Sequence, residues 1–272
     1  MDERIIAIYC LCDDCLKALH HHEDQQCRMS DAEVMTTALA AVLFFRGNFE
    51  TARHYLEEHR FIPRMLGKSR FNRRLHRIRD LFLTLFGILG ETWKALNAES
   101  IYSVDSFPIP VCDNYRIRHC RVYHDEAYRG YMASKKRFFY GVKIHLLATG
   151  TGEPVEFFLT PGSFSDVGNV EAFDWDLPAQ SIVYADRGYN SARFETEIQQ
   201  QAQITFQPLR RTNMKKQFPP WIQFLQHHFR KRIETLGSLI ERLLPKSIHA
   251  VTALGFELKV VLFVLAVSIN CL

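Results

Sequence analysis

Apolar residues recur at helical spacing along the first part of the chain. The segment SDAEVMTTALAAVLFF opens with Ser30 and carries Glu33 three positions later, which is typical of a capping box at the start of a helix. A second helix is predicted for SRFNRRLHRIRDLFLTLFGILG, with Ser69 as a possible cap. The pattern therefore predicts a helical N-terminal domain over residues 1–97.

The pattern then changes to short β-prone runs. The first are IYSVDSF, FFYGVKIHLLAT and EPVEFFLTP, and the GTGE between the last two is typical of a hairpin turn. A helix from Asp166 to about Phe173, the run SIVYAD, a helix capped by Ser191, the run ITFQPL and a helix over 220–244 follow. This order predicts an α/β domain over 98–272, a ribonuclease-H-like core with a mixed five-stranded sheet and flanking helices.

Two of the predicted strands carry an aspartate at or near their C-terminal ends: Asp105 in IYSVDSF and Asp186 in SIVYAD. A lone buried carboxylate is costly, and ligands in α/β sheets bind at the carboxyl ends of strands. If the strands are neighbours, the two carboxylates repel each other, and a divalent cation would remove that conflict. Oxygen ligands favour Mg²⁺ or Mn²⁺, and two such ions can support phosphoryl transfer. The alternative is that each Asp is an ordinary strand-end residue.

A third acid could come from the predicted helix that contains HFRKRIETLGSLIERL. Glu234 follows three consecutive cations, Arg230, Lys231 and Arg232. This arrangement suits either a solvated helical ion pair or a metal ligand beside phosphate-binding side chains. Spacing alone does not separate Glu234 from Glu241.

These segments resemble the DDE transposases of bacterial insertion sequences, most closely insertion-sequence family nine-eight-two. The resemblance rests on VDSFPIPVC, RFFYGVKIHLLATGTGEPVEFFLTPGSFSD, YADRGYNS and RKRIET, and it covers about residues 100–270. It implies a ribonuclease-H-like fold and dependence on Mg²⁺ or Mn²⁺. It also implies a catalytic, metal-binding triad of Asp105, Asp186 and Glu234, and so favours Glu234 over Glu241.

The residues around the third acid match the family only in part. Arg230 corresponds to the arginine that related transposases place four residues before the glutamate. His227 and Glu241 stand where those proteins often have a tyrosine and a lysine. Roles of flanking residues therefore do not carry over with the triad.

Positive charge is clustered although the net charge is only +4. The segment from Arg60 to Arg79 has eight Lys or Arg and no acid, and Gln207 to Arg232 has seven. Such clusters suit DNA phosphate contacts, and the alternative is a solvated basic face. The predicted DNA-binding residues are Arg70, Arg73, Arg74, Arg77, Arg210, Arg211, Lys215, Lys216, Arg230 and Lys231. Trp221 could stack on a flipped base, but a place capping the core is favoured.

The remaining features favour a cytoplasmic, nucleoid-associated protein. The N-terminus MDERIIAIYC lacks the pattern of a secretory signal, and the seven cysteines are expected to be reduced thiols. The apolar run VVLFVLAVSI is shorter than the roughly 20 residues of a membrane span and predicts a buried core helix. The spacing in CLCDDC and HHH does not favour zinc, and His145 is expected to be an ordinary strand residue.

The resemblance, the paired acids and the basic clusters together predict a DNA transposase. It would hydrolyse a phosphodiester at each end of its element and join the freed 3′-hydroxyl to target DNA, as a homodimer on double-stranded DNA. Two other functions stay open. A structure-specific ribonuclease-H-like nuclease would cleave without joining, and a catalytically silent derivative would only bind DNA.

Overall fold

The computed structural model describes the chain except for residues 25, 133–134, 211–213, 215–216 and 246–247. The chain forms two compact units. Met1–Ile88 together with Ile240–Leu272 form the helical unit, and Leu89–Leu239 form the sheet unit. The division at residue 97 that the sequence suggests stays a prediction.

The helical unit is built around one buried helix, α2. Its elements are α1 (Asp2–Ala18), α2 (Asp31–Phe45), α3 (Phe49–Glu58), α4 (Lys68–Arg77), the first part of α5 (Arg79–Leu96) and α8 (Ala253–Asn270). Helix α2 packs on α1, α3, α4 and α8. It starts at the predicted capping box: the Ser30 hydroxyl accepts the Glu33 N–H at 3.1 Å, and the Glu33 carboxylate accepts the Ser30 N–H at 2.7 Å.

Helix α8 contains the long apolar run near the C-terminus. Among the described residues it is the one helix long and apolar enough to cross a membrane, and 67% of its 18-residue window is buried inside the protein. A mostly buried core helix passes the same test of length and composition. The burial agrees with the predicted core helix over residues 260–269.

The predicted helix that begins near Ser69 is in fact two helices. Helix α4 starts at Lys68 after an extended Gly67, so Ser69 lies inside the first turn and is not the cap. The chain leaves helical geometry at Ile78, and α5 starts at Arg79. The apolar spacing continues across this break in buried residues on both sides, so the pattern did not mark it.

The sheet unit contains a mixed sheet of six strands with flanking helices, and the predicted fold class is confirmed. The strands are β1 (Ile101–Cys112), β2 (Arg129–Met132), β3 (Arg137–Thr149), β4 (Pro154–Pro161), β5 (Ile182–Ala185) and β6 (Thr205–Pro208). Their order is β2-β3-β1-β5-β6, and β4 also pairs with β3. Strand β1 is antiparallel to β3 and parallel to β5, which is parallel to β6.

Two details of this sheet differ from the expectation. The sixth strand, β2, was missed because its four residues RGYM are too few to show a period. The segment expected to be a helix from Asp166 to Phe173 is a short 3-10 helix, Val167–Ala172.

Two helices of this unit follow the last two strands. Helix α6 (Ala192–Ala202) is capped by Ser191, as predicted, and α7 (Pro220–Leu243) follows β6. The Phe229 ring of α7 stacks on Tyr184 of β5 at 5.2 Å between centroids. The Gln226 amide donates to the Gln207 carbonyl of β6 at 3.2 Å. These contacts fix α7 against the parallel part of the sheet.

Candidate active site

Asp105 and Asp186 lie at the same edge of the sheet. The last registered pair of the parallel strands β1 and β5 is Val104 with Ala185, and each aspartate is the next residue of its strand or of the turn that follows. Pairing with β5 stops at Val104 while β1 continues along β3. The two carboxylates are therefore brought together where the parallel strands end.

The Asp105 carboxylate is held in a poorly solvated place. The pKa of Asp105 is raised to about 7, mainly by burial and also by the charges of Asp186 and Asp166. The Ser106 N–H, which donates to Asp105 Oδ1 at 2.8 Å, and the nearby Arg230 guanidinium act in the opposite direction on this pKa. A buried carboxylate beside other acids is stabilised in its charged form by a bound cation.

Arg230 connects Asp186 with the third predicted acid. Its Nη1 lies 3.5 Å from Asp186 Oδ1, and its Nη2 lies 3.0 Å from Glu234 Oε1. The second contact follows from the i, i+4 spacing of the two residues on α7. Glu234 is thus close to the aspartates through a shared guanidinium, and its side chain is 48% exposed.

A fourth acid, Asp166, belongs to the same group of side chains and was not assigned a role from the sequence. Its Oδ1 accepts the Ser106 hydroxyl at 2.7 Å and lies 3.3 Å from Lys143 Nζ. A Cβ added at Gly188 would meet Asp166 Oδ2 at 2.9 Å, so the glycine leaves room for this carboxylate. The available signal was its position shortly after the end of β4, which repeats the pattern of Asp105 and Asp186.

A buried layer of polar side chains lies beside these acids. His145, opposite Ser106 on β3, contacts the Tyr189 hydroxyl through Nδ1 at 3.3 Å and the Thr160 hydroxyl through Nε2 at 3.0 Å. Burial lowers the pKa of His145 to about 4 and raises that of Tyr189 well above its ordinary value. Both are therefore neutral near pH 7. His145 is a buried strand residue, as predicted.

The donor set at the strand ends fits a divalent cation. It consists of carboxylate oxygens, which hard cations prefer, and the charges of Asp186 and Asp166 add to the burial that raises the pKa of Asp105. The carboxylate oxygens of the three predicted acids do not all lie within 4.8 Å of one another. Asp105 and Asp186 are the pair of carboxylates at the strand ends, and Arg230 lies between Asp186 and Glu234.

Another group of potential ligands lies in the helical unit. Among the described residues, His21, Glu23 and Asp31 are the one group of three whose ligand atoms all lie within 4.8 Å. Asp31 already pairs with His21 at 2.9 Å and with Arg74. Because these partners already balance the Asp31 charge, the group does not call for a cation.

The predicted DNA-binding residues fall into three sets. Arg70, Arg73, Arg77 and Lys231 are exposed. Three are engaged within the protein: Arg74 with Asp31 and Cys27, Arg210 with Glu195 and Asn190, and Arg230 with the acids above. Arg211, Lys215 and Lys216 lie outside the described residues. Trp221 does not cap the core, because it is 64% exposed in the first turn of α7.

Comparison with known proteins gives one result. A family model described as "Transposase DDE domain" matches residues 96–249, more than half of the chain. No curated protein and no solved structure gives a match. The matched segment contains Asp105, Asp186, Glu234 and all six strands.

Proposed function

Because this chain belongs to the family of transposase DDE domains, we propose that it cuts DNA at the ends of an insertion sequence and joins the freed ends to target DNA. The family implies a metal-dependent nuclease or transposase activity with DNA as partner. The observation that carries the proposal is the parallel register of Val104 with Ala185, which sets Asp105 beside Asp186. Membership of insertion-sequence family nine-eight-two is part of the proposal and is supported by the segments quoted above.

The proposed roles follow from charge and position. Asp105, Asp186 and Glu234 would hold one or two Mg²⁺ or Mn²⁺ ions, which when bound supply an activated water and support for the leaving oxygen. Arg230 is the cation that now bridges two of these acids, so it is placed to exchange a carboxylate for a phosphate. The exposed side chains of Lys231, Arg70, Arg73 and Arg77 would contact the DNA backbone.

Hydrolysis and strand joining have the same chemical form. In the first step water attacks a phosphodiester and releases a 3′-hydroxyl; in the second that hydroxyl attacks a phosphodiester of the target. Both are displacements at phosphorus, so one carboxylate site can serve both. Holding two element ends together requires a homodimer on the DNA, with the element's terminal inverted repeats as substrate. The cytoplasmic location is also proposed.

The test is single-turnover cleavage of a labelled element end in Mg²⁺, with a plasmid target and with DNA binding measured in parallel. We expect cleavage followed by joining. Glu234→Gln keeps the shape of the side chain and removes its charge, so cleavage should fall by at least about 10²-fold while DNA binding survives. Glu241→Gln is the matched control on the same helix and should cleave within a few-fold of wild type.

Each other result identifies a different function or site. Cleavage without joining would indicate a nuclease, and binding without cleavage a silent derivative. An inactive Glu241→Gln beside an active Glu234→Gln would move the third acid. If both variants stayed active, the proposed triad would be wrong.

A further inference from the structure

A large cavity lies within the helical unit and has no part in the proposed chemistry. Its volume is about 850 Å³, within the range of sites that hold small molecules. It is bounded by the turn between α2 and α3, the first turn of α4, one side of α8, and Pro245, Ile248 and His249. Its lining combines aromatic rings with cations: Phe45, Phe49, Phe71 and Phe263, and Arg46, Arg53, Lys68 and Lys259.

Lys259 is the unusual member of this lining. It lies on α8, in the otherwise apolar stretch LKVVLFVLAV. Its Nζ is 5.5 Å from the centroid of the Phe49 ring and donates to the His249 carbonyl rather than to a carboxylate. Burial lowers the pKa of Lys259. An anion in the cavity would give this partly buried ammonium an ion-pair partner.

The other charged residues that line the cavity also leave it with a net positive charge. Glu50, the one carboxylate among the described lining residues, already pairs with Arg53 at 2.8 Å and with His54 at 3.2 Å. Lys68 is exposed at the start of α4, where Gly67 provides no side-chain cap. The positive end of that helix therefore adds to the charge of Lys68 and Lys259.

The aromatic rings of the lining favour a ligand with a planar aromatic group. Phe71 and Phe263 are buried, whereas Phe45 and Phe49 are only partly buried and have ring surface at the cavity. The ring centroids of Phe49 and Phe71 are 6.1 Å apart, and the Lys259 ammonium makes a cation–π contact with the Phe49 ring. A planar aromatic group could stack on Phe49 while an attached anion reaches Lys259.

We infer that this cavity binds a single unpaired nucleotide, with its base on Phe49 and its phosphate between Lys259 and the first turn of α4. Base stacking on an aromatic ring and a phosphate beside cations are the two contacts by which proteins hold unpaired nucleotides. The nucleotide could be free or part of a strand. The inference adds a second nucleic-acid site to the proposed function and rests on that function only for DNA as the source of the strand.

The experiment measures binding of the full chain to three probes by fluorescence. They are free 2-aminopurine deoxyribonucleoside monophosphate, a short single strand with one 2-aminopurine, and the same strand fully paired. We expect the base to be quenched on binding of at least one unpaired probe, and the paired probe to show no such quenching. Free-nucleotide binding indicates a mononucleotide site, and binding of the strand alone indicates DNA as the source.

Three variants test the lining. Phe49→Leu keeps an apolar side chain but removes the ring, Lys259→Met keeps length but removes the charge, and Lys68→Gln changes an exposed side chain. Phe49→Leu and Lys259→Met should each weaken binding about tenfold, the size expected for one lost stacking or phosphate contact, and Lys68→Gln by several-fold. Lys17→Met, a matched loss of charge on exposed α1, should bind like wild type.

Two results would overturn the inference. One is wild-type binding by Phe49→Leu and Lys68→Gln with an unchanged circular dichroism spectrum. The other is the absence of 2-aminopurine quenching with both unpaired probes. Asp105→Asn, in the sheet unit, should lose cleavage and retain nucleotide binding. Cleavage by Asp105→Asn at the wild-type rate, with nucleotide binding intact, would count against the catalytic proposal alone.

Discussion

His145 shows how strongly burial changes the chemistry of one side chain. It is fully buried, stacks on Phe158 at 4.7 Å between ring centroids and contacts two hydroxyls. Burial lowers its pKa from 6.5 to about 4, although Asp166 acts in the opposite direction. Between these values the unfolded chain binds more protons than the folded chain. The stability that neutral, buried His145 contributes is therefore fully present above pH 6.5. It is lost as the pH falls from 6.5 towards 4, because the unfolded chain takes up the proton first.

This sign gives a pH prediction. Between pH 7 and pH 5 the wild type should lose about 2 kcal/mol more unfolding free energy than His145→Gln, which cannot take up this proton. Denaturant unfolding at the two pH values measures the difference. His124→Gln replaces an exposed histidine and should follow the wild type. Parallel losses in wild type and His145→Gln would show that His145 is not the group that titrates.

At the same scale, the residue types and spacing picked out Asp105 and Asp186 as a possible pair, on the condition that their two strands are neighbours. The structure confirms that they are neighbours. The role of Asp166 and the bridge made by Arg230 could not be predicted, since both depend on which strands and helices meet. Glu234 was favoured over Glu241 only by resemblance, and its catalytic role stays a proposal.

Among the elements, α4 carries the basic cluster and shows what periodicity reveals. Its buried side is Phe71 and Leu75, so the helical spacing was predicted correctly although the break after α4 was not. The pattern did not distinguish Arg73 from Arg74. Arg73 is exposed, whereas Arg74 pairs with Asp31 and its side chain is only 16% exposed. A charge cluster in a sequence therefore mixes exposed cations with cations that are paired inside the protein.

These adjacent arginines give a matched pair of variants. Arg73→Ala should reduce the slope of log binding constant against log salt by about 0.9, the value for one phosphate contact, with little change in stability. Arg74→Ala should lower the unfolding free energy by about 1–3 kcal/mol, because it removes a partner of the buried Asp31. DNA titrations at several salt concentrations and denaturant unfolding measure both. An unchanged slope for Arg73→Ala would make α4 a solvated face.

For the whole molecule, the sequence indicated where the helical region ends and the strands begin. It did not indicate that the C-terminal helix α8 packs on α2 near the N-terminus. The change from helical to strand periodicity near residue 100 was clear. The return of α8 to pack on α2 in the helical unit was not, because an apolar helix shows that it is buried but not what it is buried against. The domain boundaries are the least determined part of the sequence prediction for this reason.

A pair of core variants can decide how the chain divides. Leu265 of α8 and Val183 of β5 are both fully buried. Leu265→Ala should cost about 2–5 kcal/mol by leaving a cavity. If α8 is stabilised with the helical unit, amide hydrogen exchange should rise in α2 and α3 while the sheet keeps its protection. Val183→Ala is the converse control and should raise exchange in β1, β5 and β6. Increased exchange in the sheet on Leu265→Ala, with α2 unchanged, would instead support a division at residue 97 with α8 in the catalytic domain.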